Sequence, residues 1–186
     1  MANLVKIAEG IRRLLERVAF AGGWLMIVLM AVTCFDVVAR KLGLPVQLTR
    51  FQEFEWHLHA AIFSCWLGYC YTINAHPRVD SYTEALEFRT RAWIEFWGCL
   101  VFALPYTALV AWYSIDFVYQ SYAMGEQSES AVGLGHRWII KMVYAIWLWL
   151  IVLAIISVLL RLIAYLFGKR PQSEVQLQIG HVVADV

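Results

Sequence analysis

The stretch Glu53-Phe-Glu-Trp-His-Leu-His59 leads into an apolar body centred on Trp66-Leu-Gly-Tyr69 and closes on His76-Pro-Arg-Val-Asp80. A helix rises 1.5 Å per residue, so about 20 apolar residues cross the roughly 30 Å hydrocarbon layer of a bilayer. The body of this stretch has that length. Its entry carries carboxylates and histidines, and its exit is a compact charged turn. Three further apolar runs of spanning length flank it. Together they predict an all-α integral membrane fold with four transmembrane helices.

Composition agrees. Hydrophobic residues make up 61% of the 186 positions and charged residues 16%, whereas soluble domains sit nearer 45–50% apolar. A formal net charge of +1 gives no indication of nucleic-acid binding. Cys34, Cys65, Cys70 and Cys99 all lie in apolar runs, where cysteine behaves as a small hydrophobe. Cys65 and Cys70 project in different directions on one helix, so no disulfide or metal function is expected of them.

Working outward in both directions gives the order of segments. Residues 2–17 place Leu4, Ile7, Ala8, Ile11, Leu14 and Leu15 at helical spacing among Lys6, Arg12, Arg13 and Arg17. That pattern predicts an amphipathic helix lying in the membrane interface (1–17), with a solvated extension of the first span as the alternative. It does not read as a cleavable signal. Spans are expected at about 18–38, 54–73, 92–119 and 138–167, which makes 18–167 the membrane domain. Asp36 precedes Arg40 by four residues and can pair with it along the helix. Gly43 and Pro45 end the first span. Pro105 removes one backbone hydrogen bond from the third span and predicts a kink near Val101. Residues 125–137 form a glycine-containing loop, and the tail 168–186 is expected to be mobile.

Orientation follows from basic residues. Ten lysines and arginines fall on the side of the two termini and the middle loop, against five on the other side. Both termini, and the tail with them, are therefore expected in the cytoplasm.

Several polar groups near the membrane are candidates for function. Glu53 precedes His57, and Glu55 precedes His59, each by four residues. The two pairs are offset by two residues and so point in different directions. One pair is expected to look inward and the other toward a neighbouring protein; simple interfacial contacts are the alternative. Bis-histidine haem needs facing histidines on two helices, and no other span has a histidine in its core. His76, Arg78 and Asp80, around the rigid Pro77, read as a well-built turn. Glu95, Asp116 and Lys141 are shallow enough to reach headgroups. Many of the nine tryptophans occupy positions suited to an aromatic belt, but Trp66 and Trp147 lie deeper, where packing against another helix or chain is expected. There is no phosphate-binding loop, no H-E-x-x-H and no G-x-S-x-G. Four apparently continuous spans with a single kink look incomplete as a transporter on their own.

Glu53-x-Glu-Trp-His-Leu58, Trp66-Leu-Gly-Tyr-x-Tyr-Thr72 and His76-Pro-Arg-Val-Asp80 resemble the small membrane subunit (DctQ type) of tripartite ATP-independent periplasmic (TRAP) transporters. So do Ser121-Tyr-Ala-Met-Gly-Glu-Gln-Ser-Glu-Ser130 and Gly133-Leu-Gly-His-Arg-Trp-Ile-Ile-Lys141. The likeness spans about 18–165 and is greatest to the mannitol/chloroaromatic branch. Pro77 stands where a β-branched residue is commoner, and His136 where proline is expected. The resemblance implies a bacterial inner-membrane scaffold subunit that is not an enzyme and carries no cofactor. Its implied partners are a large multispan membrane subunit, a periplasmic substrate-binding protein and membrane lipids. The large subunit would move an organic acid by a sodium-driven elevator motion. Glu53, Glu55, Trp56, His57, His59 and Trp66 are then the expected large-subunit contact, and Glu126, Glu129 and Arg137 the expected docking surface for the binding protein. The competing reading is a four-helix anchor of a redox enzyme holding haem or quinone through His57 or His59; a stand-alone four-span protein is the third.

Overall fold

A computed structural model describes residues 2–75, 82, 83, 85–168 and 171–179. Among these the chain is all helical: α1 (Ala2–Leu42), α2 (Leu48–Thr72), α3 (Phe88–Trp97), a π-helical segment (Gly98–Ala103), α4 (Leu104–Ala123), α5 (Trp138–Leu166) and the short α6 (Gln172–Val175). The turn expected at His76, Arg78 and Asp80 lies outside the described residues.

Among the described residues three stretches are long and apolar enough to cross a membrane: Ala2–Leu42, Phe88–Ala123 and Trp138–Leu166. The 25-residue α2 has the length, but Glu53, Glu55, His57 and His59 in its first half dilute its apolar character. The fourth expected span is therefore not among the three.

α5 is the centre of the bundle. Of its most apolar 18-residue window, 44% is buried, against 17% in each of the other two long stretches. It packs on α1, α2, α3 and α4. Ala111 of α4 meets Leu148 and Val152 of α5. Leu29 of α1 meets Leu58 and Ile62 of α2. The α1–α2 approach is close at Gly22, where a Cβ would overlap the Cys65 side chain. The Trp66 indole N–H donates to the Ala19 carbonyl at 3.0 Å across the same contact.

The expected kink at Pro105 takes a specific form. The helix widens to π geometry over Gly98–Ala103, one turn ahead of the proline. A π-bulge relieves the clash between the proline ring and the preceding turn without breaking the rod.

Two expectations need correction. Residues 2–17 are not a separate helix: α1 runs unbroken from Ala2 to Leu42 and contains no proline. Part of the apolar face assigned to the interface is used within the protein instead. Ala8 and Leu15 are fully buried, and Ser157 Oγ of α5 donates to the Ala8 carbonyl at 2.9 Å. The tail is not free along its described part either. Val175, Leu177 and Ile179 are buried in a core with Ala92, Phe96, Leu159 and Leu162. Residues 171–179 form a strap folded back over α3 and α5.

Candidate functional site: the head of α2 and the 125–137 loop

The first turns of α2 and the loop between α4 and α5 meet at one end of the bundle. Glu53 is the joint. Its Oε1 accepts a hydrogen bond from Ser128 Oγ, and its Oε2 accepts the Leu134 backbone N–H at 2.6 Å. Arg50 Nε adds a bond to the Val132 carbonyl at 3.1 Å. The close approach requires glycine at position 133, where a Cβ would sit 2.7 Å from Glu53 Oε1 and overlap Ser128.

The loop's own backbone explains its composition. Gly125 (φ 60°) and His136 (φ 58°) adopt left-handed geometry, natural for glycine and costly for most other residues. Proline, fixed near −65°, could not adopt the His136 conformation. The departure from the expected proline is therefore matched by the local backbone. Arg137 N–H donates to the Glu126 carbonyl at 3.2 Å.

Glu126 carries the loop's main charge contact. Its carboxylate pairs with Lys141 in the first turn of α5, and the Lys141 ammonium also lies 3.9 Å from the centre of the Phe117 ring. The hydrogen bond from Lys141 holds the Glu126 carboxyl below the usual carboxylate range. Of the expected docking trio, Glu126 and Arg137 come together through the backbone, while Glu129 points into solvent. Lys141, read from the sequence as a shallow headgroup contact, is the side-chain partner.

Glu53, Glu55, Trp56, His57, His59 and Trp66 separate by helix face. Glu53 is buried and His57 half-buried toward the loop, whereas Trp56 and His59 are exposed. Glu53 is engaged with the loop through Ser128 and Leu134. Glu55 Oε1 is buried and has no hydrogen-bond partner among the described residues. Trp66 uses its indole N–H on α1. Among the described residues no three of His, Cys, Asp and Glu come together as a metal-ligand group.

The opposite end of the bundle holds a polar network that sequence reasoning missed. Arg161 is buried in α5. It donates to Glu9 Oε2 of α1 at 2.8 Å and to the Val175 carbonyl of the strap at 2.7 Å. Glu9 also receives Arg12 Nη2 at 2.9 Å and Arg13 Nε at 3.1 Å. An arginine inside an apolar run is expensive and marks a specific partner. Arg161 had that signal, but it was counted with the basic residues flanking the span.

No match was found among curated proteins or solved structures. The sequence profile of the DctQ component of tripartite ATP-independent periplasmic transporters matches residues 29–164. The matched region runs from the middle of α1 to the last turn of α5 and takes in the Glu53 joint, the 125–137 loop and Arg161. The chain belongs to this DctQ family.

Proposed function

We propose that this chain is the stationary scaffold beside the large subunit of a sodium-driven transporter for organic acids. Its family makes it the small membrane subunit of a TRAP transporter. The observation that carries the scaffold reading is where the polar side chains are spent. Glu53 locks α2 to the 125–137 loop, and Arg161 locks α1, α5 and the strap. A bundle with one such tie at each end suits a platform against which another domain slides.

In this reading α2 crosses the inner membrane as the fourth span, and both termini face the cytoplasm, as the basic-residue bias favours. A periplasmic binding protein delivers the substrate, and the 125–137 loop, with Glu126, Glu129 and Arg137, helps receive it. The α2 head contacts the large subunit, which performs the elevator motion.

Reconstitution tests the assignment. Liposomes holding the chain with the large subunit should take up an organic acid when binding protein and an inward sodium gradient are both supplied. Sodium-dependent uptake by liposomes holding this chain alone would overturn it.

A further inference from the structure

Two of the outer rods carry charge-free bands of nearly equal length. α1 has no Asp, Glu, Lys or Arg between Arg17 and Asp36, and the α3–α4 rod has none between Glu95 and Asp116. At 1.5 Å per residue each band matches the roughly 30 Å hydrocarbon layer. Measured along α5, however, they stand at different heights. Ser157 meets the Ala8 carbonyl, and Leu15 and the Leu150 carbonyl both flank Gly68. α1 therefore runs antiparallel to α5, and its band begins only near the level of Trp147. From there it continues past the level of Trp138, where α5 starts. The α3–α4 rod also packs on α5, with Ala111 beside Leu148 and Val152 and Phe96 beside Phe167. Its band extends from that same middle level to the other end of α5.

The two bands scarcely overlap along the bundle axis. Their centres differ by about 25 Å of helix rise, across at most two interhelical distances of about 8–10 Å each. No upright slab contains both. A slab enclosing the α3–α4 band would put the exposed Lys6, Arg13 and Arg17 at hydrocarbon depth, where each basic side chain is expensive. The same slab would leave Met30 and Val38, 63% and 52% exposed, standing in water. Tilting the bundle removes both defects at once, because both ends of the α1 band are displaced in the same direction.

We propose that the bundle sits obliquely in the bilayer, at about 45° or more, and that the first turns of α1 lie against anionic lipid headgroups on the side of the termini. The contact face is Lys6, Arg13 and Arg17. Each precedes a buried residue (Ala8, Leu15 and Ala19) by two positions, about 200° around the helix, so the three cations share the face turned away from the core. Basic residues at such a surface are held by the negative potential of the lipid phosphates. The tilt exceeds the average of about 20° for membrane helices, and the length of α1 agrees with it. Its 41 residues rise about 60 Å, which projects at 45° to about 43 Å, the thickness of a bilayer with its headgroups.

The test uses the full chain in lipid nanodiscs, with a nitroxide amino acid incorporated at Leu14, Met30 or Leu109, all exposed. Leu14 and Leu109 stand at the same level of α5, near Leu150, so an upright bundle gives them one depth and leaves Met30 outside. The ratio of oxygen to nickel-chelate collisions reads depth. The oblique bundle predicts a ratio at Met30 within about twofold of that at Leu109, and a ratio at Leu14 at least about tenfold lower. Any other ranking, above all equal ratios at Leu14 and Leu109, would overturn the inference. Ile7, Ile27 and Tyr106, also exposed, repeat the comparison in the same order wherever a label lowers the thermal midpoint. In parallel, anionic phosphatidylglycerol in place of zwitterionic lipid should raise the parent's midpoint. The double variant Lys6→Gln with Arg17→Gln should lose about half of that gain or more, with its midpoint in zwitterionic lipid unchanged. A gain equal to the parent's would overturn the headgroup contact.

Discussion

Arg161 in α5 and Glu9 in α1 stand 152 positions apart in the chain, yet their charged groups meet at 2.8 Å. The Arg161 side chain is 4% exposed and that of Glu9 21%, so the pair lies at the edge of the core rather than in water. The same guanidinium holds the strap through the Val175 carbonyl at 2.7 Å. One buried cation thus ties three segments that have no local reason to meet.

Removing the acid should hurt more than removing the base. Glu9→Ala leaves the Arg161 charge buried with only backbone carbonyls, a defect of about 3–5 kcal/mol at full burial, with partial exposure placing this case toward the lower end. Arg161→Met leaves Glu9 with Arg12 and Arg13 still beside it. Thermal unfolding in detergent should rank the midpoints parent, Arg161→Met, Glu9→Ala, from high to low; the reverse order of the two variants would contradict the arrangement.

The strap should contribute to stability rather than hang free. Leu177 is buried against the α3–α5 core, and Leu→Ala in a core costs about 2–5 kcal/mol. Gln178→Ala, at an exposed neighbour, should change stability by less than about 0.5 kcal/mol. Limited proteolysis should then cut the tail of Leu177→Ala much faster than that of Gln178→Ala.

At the α1–α2 contact, glycine is required at one position and dispensable at another. Gly22→Ala places a methyl onto the Cys65 side chain and forces the helices apart, whereas a Cβ at Gly10 meets nothing within 4 Å. Gly10→Ala should therefore be neutral or stabilising by up to about 1 kcal/mol, and Gly22→Ala destabilising. Chemical denaturation of the two variants in the same detergent decides the matter.

The Glu53 joint should govern the order of the 125–137 loop. Glu53→Ala leaves Ser128 Oγ and the Leu134 N–H without their acceptor, a loss on the order of 1–3 kcal/mol. Hydrogen exchange across the loop should accelerate by about tenfold or more, while exchange in α5 stays unchanged. Glu53→Gln, which keeps one acceptor oxygen, should fall between the two.

Acid should loosen the same loop at its other tether. Lys141 depresses the Glu126 pKa in the folded chain, so the stabilisation is fully present above the ordinary value of 4.5 and is lost as pH falls below it. Hydrogen exchange of residues 125–137 should rise as pH is lowered through that range, after correction for intrinsic exchange. Glu126→Gln should remove that dependence at this tether, and a profile equal to the parent's would assign the transition to another group.

The sequence by itself determined what depends on composition and short spacing. Apolar run lengths identified a helical membrane protein, and the order of short motifs identified its family. The Asp36–Arg40 pair was legible because four residues along a helix always bring side chains to one face, and it is found as a two-point contact at 2.7 and 3.1 Å. Pro105 announced a disturbance, though not that a π-segment would absorb it. The tertiary structure decided which distant groups meet. The sequence paired Glu53 with His57 by local spacing, yet the Glu53 carboxylate accepts from Ser128 and Leu134, more than seventy positions away. Arg161 looked like a flanking charge, and the strap like a loose tail, until α5 was packed against α1 and α3. The physical reason is the range of the forces. Helix formation is settled by neighbours within a turn or two, whereas a buried polar group takes whichever partner the packed helices bring within 3 Å, and that partner has no fixed offset in the chain.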